Sequence, residues 1–253
     1  MDPALAGKAD RLRALHAEPG VLVLPNAWDA ASATALEAAG FPALATTSAG
    51  VVEALGHRDG EHAPVGEVLA AVGRICAAVS VPVTADLEGG YGLAPDDLVE
   101  GLLEAGAVGL NLEDTDHRGS DPLVDAERQA DRLAGVKEAG RRRGVDVVLN
   151  ARVDVHVRQV GPEEERLGEA VRRGRRYREA GADCVYPIAV ADESSIRALV
   201  EDTAAPINIL LRSGAPPVSR LAELGVARAT FGSGLMRAAV RAAVQQAEAA
   251  RDA

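Results

Sequence analysis

The sequence predicts a (β/α)8 barrel, and three observations lead to this fold class. Apolar, strand-like runs alternate eight times with helical patterns along the 253 residues. Several predicted helices end in Ala-Gly or Leu-Gly just before the next strand, as at Ala39-Gly40 and Leu224-Gly225, where glycine accepts the left-handed conformation that stops a helix. The chain is 47% hydrophobic, enough for one core of barrel size. Strict alternation indicates parallel strands with right-handed crossovers, so we expect one barrel domain over residues 1–253, with a doubly wound open sheet as the alternative.

The individual elements follow from hydrophobic periodicity and turn residues. Strands are predicted at 21–28, 43–49, 82–88, 109–114, 147–154, 184–188, 207–212 and 228–232. Helices are predicted at 30–39, 65–78, 95–105, 127–142, 162–180, 193–201, 218–224 and 234–251. The last helix is rich in Ala and Gln, and two placements are open to it: on its own barrel or on a neighbouring subunit.

Composition excludes several classes of protein. The net charge is −11 and no basic cluster is joined to aromatic residues, so we expect no nucleic-acid partner. No run of 18 apolar residues is present and the acidic start does not resemble a signal peptide, so we expect a cytoplasmic protein without a membrane partner. Cys76 and Cys184 lie in apolar segments and are predicted to be buried thiols.

Residues 81–92, with the sequence VPVTADLEGGYG, stand apart from the other predicted strands. A β-branched apolar run ends there in two carboxylates, Asp86 and Glu88, followed by a glycine-rich turn. Residues two apart in an extended strand point to the same side, so we expect both carboxylates to face one way. Two buried acids need a cation or protons to be tolerated. The stretch therefore predicts a functional site, and a strand end that meets solvent is the alternative.

Polar residues collect at the same end of nearly every predicted strand. These residues are Asn26, Asp29, Thr46, Thr47, Ser48, Asp86, Glu88, Glu113, Asp114, Arg152, Asp154, Tyr186, Asn208, Thr230 and Ser233. Barrel active sites form at the carboxyl ends of the strands. Because packing alone would have accepted Val or Leu at these positions, we expect one shared site there.

Three of these acids indicate a metal. Asp86, Glu88 and Glu113 come from neighbouring predicted strands, and three converging carboxylates would repel one another without a cation. Mg²⁺ suits them because it takes a few carboxylates, keeps waters and accepts a substrate oxygen; Mn²⁺ is the expected substitute. Zn²⁺ is less suited because no His pair or Cys cluster lies near these acids.

The remaining polar residues indicate an anionic ligand. Arg152 offers a planar fork that fits a carboxylate or phosphonate. Thr47, Ser48 and nearby backbone amides offer neutral donors to another anionic oxygen. Together with the metal, these groups describe a site for a small dianion whose carbonyl or enolate oxygen lies on the cation.

Nine segments, in order over nearly the whole chain, also carry a resemblance to a known family. They are LPNAWDAASA (24–33), ATTSAG (45–50), LGHRDGE (55–61), PVTADLEGGYG (82–92), GLNLED (109–114), NARVD (150–154), GADCVYP (181–187), PIN (206–208) and FGSG (231–234). This set resembles the isocitrate lyase / phosphoenolpyruvate mutase superfamily. The resemblance implies a Mg²⁺-dependent barrel that makes or breaks C–C or P–C bonds beside a 2-oxo or 2-hydroxy acid through a metal-stabilised enolate. It also implies a homo-oligomer, often a tetramer, in which the last helix is exchanged between neighbours.

The resemblance further implies roles for the metal and its surroundings. Asp86 is expected to be the principal metal ligand, with Glu88 and Glu113 binding through waters. Asp59 is expected near the metal-bound waters and the reacting end of the substrate, and Arg152 is expected to hold the oxyanionic group.

Other residues are implied, or suggested by position, to contact the substrate. Thr47 and Ser48 are expected to hold its carboxylate. Tyr186 and Asn208, at the ends of later strands, are further candidates for substrate binding.

One loop departs from the family pattern. Lyase members carry a Lys-Lys/Arg-Cys-Gly-His loop whose Cys is the general acid, whereas residues 115–125 here read TDHRGSDPLVD. The usual cleavage of isocitrate or 2-methylisocitrate is therefore not expected, and the Asn of the mutase loop is not evident either. His117 is a candidate acid or base, with a solvated loop histidine as the alternative, and Asp116 and Arg118 are candidate lid residues.

The sequence therefore leads to one principal hypothesis and two alternatives. The principal hypothesis is a Mg²⁺-dependent C–C lyase or oxo-acid hydrolase, with Asp59, Arg152 and His117 as catalytic residues. The first alternative is an inactive barrel of the same family that binds metal and oxo acid. The second is a phosphonopyruvate-type mutase or hydrolase. A class II aldolase of another barrel family would also use a divalent metal, but it usually places its acids differently.

Overall fold

A computed structural model describes residues 3–251. Its strands are β1 (Leu22–Leu24), β2 (Asn26–Ala27), β3 (Leu44–Thr46), β4 (Val83–Asp86), β5 (Gly109–Glu113), β6 (Val148–Val153), β7 (Cys184–Pro187), β8 (Asn208–Leu210) and β9 (Arg228–Thr230). Its helices are α1 (Pro3–Ala17), α2 (Ala30–Ala38), α3 (Ser48–Ala54), α4 (Val65–Ala77), α5 (Pro95–Glu104), α6 (Ala126–Arg142), α7 (Glu163–Glu179), α8 (Glu193–Thr203), α9 (Val218–Glu223) and α10 (Gly234–Arg251). The alternation of strand and helix confirms the predicted α/β class.

The strands are parallel and their pairings lead from each strand to the next. One sheet has the order β2-β3-β4-β5-β6-β7 and the other the order β1-β9-β8. β1 and β2 are consecutive pieces of one run of chain, separated at Pro25, and a parallel bridge between Val185 and Ile207 links β7 to the segment that enters β8. The pairings therefore pass through all eight strand positions and return to the first, which is the order of a (β/α)8 barrel.

Local sequence explains where several helices begin. Asp29 caps α2 by accepting a hydrogen bond from the Ser32 amide at 2.7 Å, and the Ser32 hydroxyl accepts one from the Asp29 amide at 3.1 Å. The side chains of Asp125 and Asp192 cap α6 and α8 by accepting hydrogen bonds from amides of the first helical turn. Each cap satisfies amides that the first helical turn leaves without a partner.

Helix α1 lies against the amino-terminal ends of the central strands. The buried side chain of Leu12 packs beside Gly109, the first residue of β5; a Cβ at this glycine would lie 2.9 Å from Leu12 Cδ2. Arg13 Nε lies 3.2 Å from Asp183 Oδ1, just before β7, and Lys137 Nζ lies 2.9 Å from Asp183 Oδ2. These contacts leave the carboxyl ends of the strands for the site.

The element boundaries differ from prediction in three places. The first predicted strand is interrupted at Pro25, which has no amide to donate to a ladder. The second ends at Thr46, because Thr47 caps helix α3 and Ser48 begins it. Helices α1 and α3 were not predicted; α3 has only seven residues, too few to show a helical period.

Two expectations from composition can be compared with the structure. Cys76 and Cys184 are free and buried, as predicted. Within residues 3–251, none of the helices combines the length and the apolar character needed to cross a lipid bilayer.

Candidate active site

Asp86, Glu113 and Arg152 lie on three neighbouring strands, and Glu88 lies in the turn that follows the first of them. Asp86 is the last residue of β4 and Glu113 the last residue of β5. Glu113 pairs in register with Arg152 on β6, and Arg152 pairs with Tyr186 on β7. Because these strands are parallel, the side chains emerge at the same end of the sheet.

Asp86 has one carboxylate oxygen engaged and one free. Its amide donates to Thr46 Oγ1 at 2.9 Å, which fixes the end of β4 against β3. Its Oδ2 accepts a hydrogen bond from the Ser48 amide at 3.1 Å. Its Oδ1 is buried and has no hydrogen-bond partner, so this oxygen is the one available to a ligand.

Glu88 is held by the loop that follows α3. Its Oε2 accepts hydrogen bonds from the amides of Gly60 and Glu61, at 2.7 and 2.6 Å, and its Oε1 accepts one from the Tyr91 hydroxyl. Burial raises the pKa of Glu88, and the Tyr91 hydrogen bond opposes that rise.

The reason for expecting Asp86 and Glu88 to face one way was incomplete. The strand ends at Asp86, and Glu88 has a φ of 49°, so the two-residue alternation of a strand does not extend to it. The carboxylates are nevertheless close enough for the charge of Asp86 to raise the pKa of Glu88. Their proximity depends on the turn after β4.

Each carboxylate oxygen of Glu113 contacts a basic side chain. Its Oε1 lies 2.6 Å from His117 Nε2 and its Oε2 lies 2.6 Å from Arg152 Nη1. Burial raises the pKa of Glu113 to about 7, although the positive charge of Arg152 opposes the rise. For His117, burial lowers the pKa, but the hydrogen bond and charge of Glu113 outweigh it and the net shift is upward.

Arg152 is fixed by a second, buried carboxylate. Its Nε and Nη2 donate to the two oxygens of Asp154 at 2.7 and 2.9 Å. Asp154 also accepts a hydrogen bond from Thr115 Oγ1 at 2.6 Å, and its amide donates to Asp114 Oδ1 at 2.8 Å. The Asp114 carboxylate is in turn bound by Arg173 Nη1 at 2.9 Å. Arg152 therefore holds a single orientation toward Glu113.

The remaining predicted site residues lie in different surroundings. Asp59 lies in the loop after α3, where partial burial and then the charge of Asp86 raise its pKa, while a hydrogen bond with the Ser48 hydroxyl lowers it. Thr47 caps α3, with its Oγ1 3.5 Å from the Gly50 amide. Asn208 is fully buried within the barrel, where its amide pairs with Thr230 Oγ1 at 3.3 Å. The structure thus groups Asp59 and Ser48 with Asp86, whereas the Asn208 amide is engaged by Thr230 in the barrel interior.

The loop over residues 115–125 lies against the site. An antiparallel β-bridge between Thr115 and Leu123 joins the two ends of this loop. Arg118 Nε lies 3.0 Å from Glu61 Oε2, which ties this loop to the one after α3. Asp116 Oδ1 accepts hydrogen bonds from the amides of Arg118 and Gly119 at 3.0 and 2.7 Å. The two loops therefore meet over Glu88 and Glu113.

The sequence model of the phosphoenolpyruvate phosphomutase family matches residues 12–251. The chain belongs to this family. The resemblance inferred from the nine segments is therefore confirmed, and so is the expectation of an enzyme rather than a scaffold of another class.

Individual members of the phosphoenolpyruvate phosphomutase family are similar over nearly the whole chain. An uncharacterized protein of Mycobacterium tuberculosis is 34% identical over 239 residues, covering 94% of this chain and 88% of that protein. The 2-methylisocitrate lyase of Escherichia coli is 29% identical over 251 residues, covering 94% of this chain and 81% of that enzyme.

Solved structures of the same family agree with the fold. A structure from Burkholderia cenocepacia, provisionally described as a lyase/mutase, has a TM-score of 0.90 and 35% identity, with 99% of this chain and 90% of that chain covered. A phosphonopyruvate hydrolase in complex with oxalate and Mg²⁺ has a TM-score of 0.85 and 27% identity, with 97% and 87% covered. Relatives in this family are thus lyases, mutases and hydrolases, as the sequence predicted.

The donor set of the site fits Mg²⁺, the ion bound in the phosphonopyruvate hydrolase structure. In the described chain, residues 3–251, no three His, Cys, Asp or Glu side chains form a preformed metal cage. Asp86 keeps a free buried oxygen, whereas the oxygens of Glu88 and Glu113 are already engaged by protein donors. Such a site fits Mg²⁺, which keeps several waters and takes one or two carboxylates directly. It fits Zn²⁺ poorly, because Zn²⁺ is bound by several N or S ligands.

Some residues of the site were missed by the reasoning from sequence. Asp154 was predicted as one of the polar strand-end residues, but its pairing with Arg152 was not, although residues two apart in a strand share a side. Glu61 carried no comparable signal, because its two carboxylate oxygens bind the Tyr91 amide and Arg118, which belong to two other loops.

Proposed function

We propose that the protein is a Mg²⁺-dependent enzyme that cleaves a C–C bond in a small 2-oxo or 2-hydroxy dicarboxylate, as a lyase or an oxo-acid hydrolase. The observation that carries the proposal is the free, buried Oδ1 of Asp86 beside a cluster that presents the fixed guanidinium of Arg152. Such a cluster suits an anion that shares one oxygen with a cation and another with an arginine.

The chain's own residues are proposed to act as follows. Asp86 holds the cation directly, and Glu88 and Glu113 bind its waters. Bound Mg²⁺, or Mn²⁺ in its place, supplies Lewis-acid stabilisation of a developing enolate oxyanion. Arg152 binds the anionic end of the substrate and is held for this role by Asp154.

Proton transfer is assigned to two groups at the site. Asp59 lies in the loop next to Asp86, and we propose that it takes the proton from the attacking water or the substrate hydroxyl. His117, hydrogen-bonded to Glu113 at 2.6 Å, is proposed to return a proton to the enolate carbon in place of the missing loop cysteine. Thr47, Ser48 and Tyr186 are proposed to line the substrate-binding region.

The substrate class is supported by two solved relatives. One is the phosphonopyruvate hydrolase that binds oxalate with Mg²⁺. The other is an oxaloacetate acetylhydrolase in complex with its product oxalate, with a TM-score of 0.85 and 25% identity over 98% of this chain. Both names describe small dianionic oxo acids, which match the charge of a site that holds Arg152 and a divalent cation.

A panel assay tests the proposal. The purified protein is incubated with Mg²⁺ and 2-oxo or 2-hydroxy dicarboxylates of increasing chain length, and pyruvate, oxalate and glyoxylate are detected by coupled enzymes. We expect turnover of at least one acid, loss of turnover with EDTA, and loss of turnover in Asp86→Asn. Undiminished turnover in excess EDTA would overturn the proposal.

One observation favours a second function, an inactive barrel that binds metal and oxo acid. The 115–125 loop contains no cysteine, and Arg118 and Glu61 tie it to its neighbour. In that case oxalate with Mg²⁺ would raise the melting temperature, while no acid in the panel would be turned over. Turnover of a single acid rejects this function.

We also propose a homo-oligomer, a dimer or tetramer, formed through α10. This 18-residue helix contains no buried residue, and Val240 and Val244 on one side of it are 53% and 50% exposed. A groove of about 420 Å³ on the outer face is lined by Trp28, Val51 and Leu55 among others, and would accept an apolar helix. We further propose that the chain forms a single barrel domain and that the protein is cytoplasmic.

A further inference from the structure

Arg228 is a fully buried cation in the interior of the barrel. It is the first residue of β9, and its side chain crosses to β5, where Nη2 lies 3.4 Å from Asn111 Oδ1. Its Nε and Nη1 are buried and have no hydrogen-bond partner. A guanidinium keeps its proton in proteins, so a full positive charge lies in a region of low dielectric.

Among residues 3–251, no carboxylate forms a salt bridge with Arg228. In the described part of the chain, the polar atom that reaches Arg228 is the neutral amide oxygen of Asn111. The charged or titratable groups that interact with its charge are His16, Cys184, Tyr186 and Asp86. Burial raises the pKa of both Cys184 and Tyr186 to about 12, and burial together with the charge of Arg228 lowers the pKa of His16 to about 4, so all three are neutral at pH 7. Asp86 is therefore the anion toward which the field of Arg228 is directed.

The guanidinium lies directly beneath the candidate active site. Asn111 pairs in register with Asp86 on one side, and on its own strand it precedes Glu113 by two residues. Two residues along a strand span about 7 Å, so the charge lies about one layer of side chains below Glu113 and Arg152. At such a distance and inside the protein, a unit charge changes the binding of another ion measurably.

We propose that Arg228 is a second cation of the active site, acting through its field from below to favour the anionic substrate and the enolate. The inference rests on the proposed function, because it takes the ligand to be a small dianion bound beside a divalent cation. Arg228 is fully buried, so it is not a contact residue. Its role is to add positive potential where negative charge accumulates.

The field of a fixed charge acts with opposite sign on the two ligands of the site. It strengthens the binding of oxalate, a stable dianion of the expected type, and weakens the binding of Mg²⁺. A residue with a merely structural role would, when replaced, weaken both. The sign of the two changes therefore separates an electrostatic role from a structural one.

Two substitutions test the inference in the full-length protein. Arg228→Met removes the charge and keeps the volume, and replacing an unpaired buried charge with an apolar side chain is often neutral or stabilising. Arg175→Met removes the same charge from a 57% exposed side chain and is the matched control. Calorimetry measures the affinity for Mg²⁺ alone and for oxalate at saturating Mg²⁺, and the thermal midpoint checks the fold.

We expect Arg228→Met to weaken oxalate binding about tenfold and to strengthen Mg²⁺ binding severalfold, while Arg175→Met stays within about threefold of the unaltered protein for both. If Arg228→Met does not fold, Arg228→Gln is expected to show the same two signs. An unchanged oxalate affinity in Arg228→Met, or a loss of affinity for both oxalate and Mg²⁺, would overturn the inference. If the two affinities change in opposite directions but no acid of the panel is turned over, the role of Arg228 stands and the proposed enzyme activity is overturned. If an acid is turned over but the two affinities do not change in opposite directions, only the role of Arg228 is overturned.

Discussion

Arg152 Nη1 lies 2.6 Å from Glu113 Oε2, and the other edge of the same guanidinium is bound by both oxygens of Asp154. One buried arginine thus joins a candidate metal-water ligand to a carboxylate with no other proposed role at the site. Its orientation is set before any ligand arrives, and a preorganised donor loses less free energy when it binds an anion.

The first prediction concerns this orientation. Asp154→Asn keeps the shape of the side chain but removes the charge that holds Arg152, so we expect oxalate affinity in the presence of Mg²⁺ to fall about tenfold. Arg152→Met removes the anion-binding group itself, and we expect a loss of more than about 100-fold. Calorimetry measures both, with the exposed Asp202→Asn as the control. An unchanged affinity in Asp154→Asn would show that Arg152 holds its orientation without this carboxylate.

The second prediction concerns the contact between the two loops over the site. The Glu61 carboxylate is only 5% exposed and is bound by the 62% exposed Arg118, so Arg118→Ala removes the tie. We expect proteolysis within residues 115–125 to become about three to ten times faster, because local opening costs less free energy. Arg175→Ala, at an exposed ion pair with Asp202, is the control and should cleave at the original rate.

The third prediction concerns pH and the buried histidine of α1. His16 Nδ1 donates to the Leu12 carbonyl at 2.8 Å, while its buried Nε2 has no partner. Burial, and then the charge of Arg228, lower the pKa of His16 from 6.5 to about 4. Because the folded pKa lies below the unfolded one, the stability that the neutral ring contributes is complete above pH 6.5 and is lost as the pH falls toward 4.

Urea unfolding at a series of pH values measures this effect. Between about pH 7 and pH 4.5, we expect the free energy of unfolding to fall by about 2 to 3 kcal/mol more in the unaltered protein than in His16→Leu. Leucine cannot be protonated, so the His16→Leu variant keeps only the pH dependence that arises from the other groups. Parallel curves for the two proteins would mean that His16 binds its proton equally well in both states.

The fourth prediction concerns the exposed side of α10. Val240→Glu with Val244→Glu places two charges on the apolar stripe that we propose to be buried between subunits, so light scattering is expected to show a smaller assembly. Ala242→Glu lies on the opposite side of the helix and serves as the control. A monomeric unaltered protein would contradict the proposed oligomer.

Much of the fold was predictable because it depends on local patterns. The eight strand positions follow from apolar runs that end in turns, and Asp86, Glu113 and Arg152 became candidate site residues because polar side chains interrupt those runs at their carboxyl ends. The turn after β4 was not predictable in this way. Glu88 adopts a positive φ and binds the amides of Gly60 and Glu61, which come from a loop 27 and 28 residues earlier in the chain.

The sequence by itself determined the parallel α/β class, the family and the identity of the acids and the arginine at the strand ends, because each is written in periodicity or in short motifs. Only the tertiary structure decided which carboxylate keeps a free oxygen, how Arg152 is held, and where the charge of Arg228 lies. Arg228 reaches Asn111 across 117 positions of sequence. Such contacts depend on strand register and on the direction of side chains inside a closed ring, and neither is a local property of the chain.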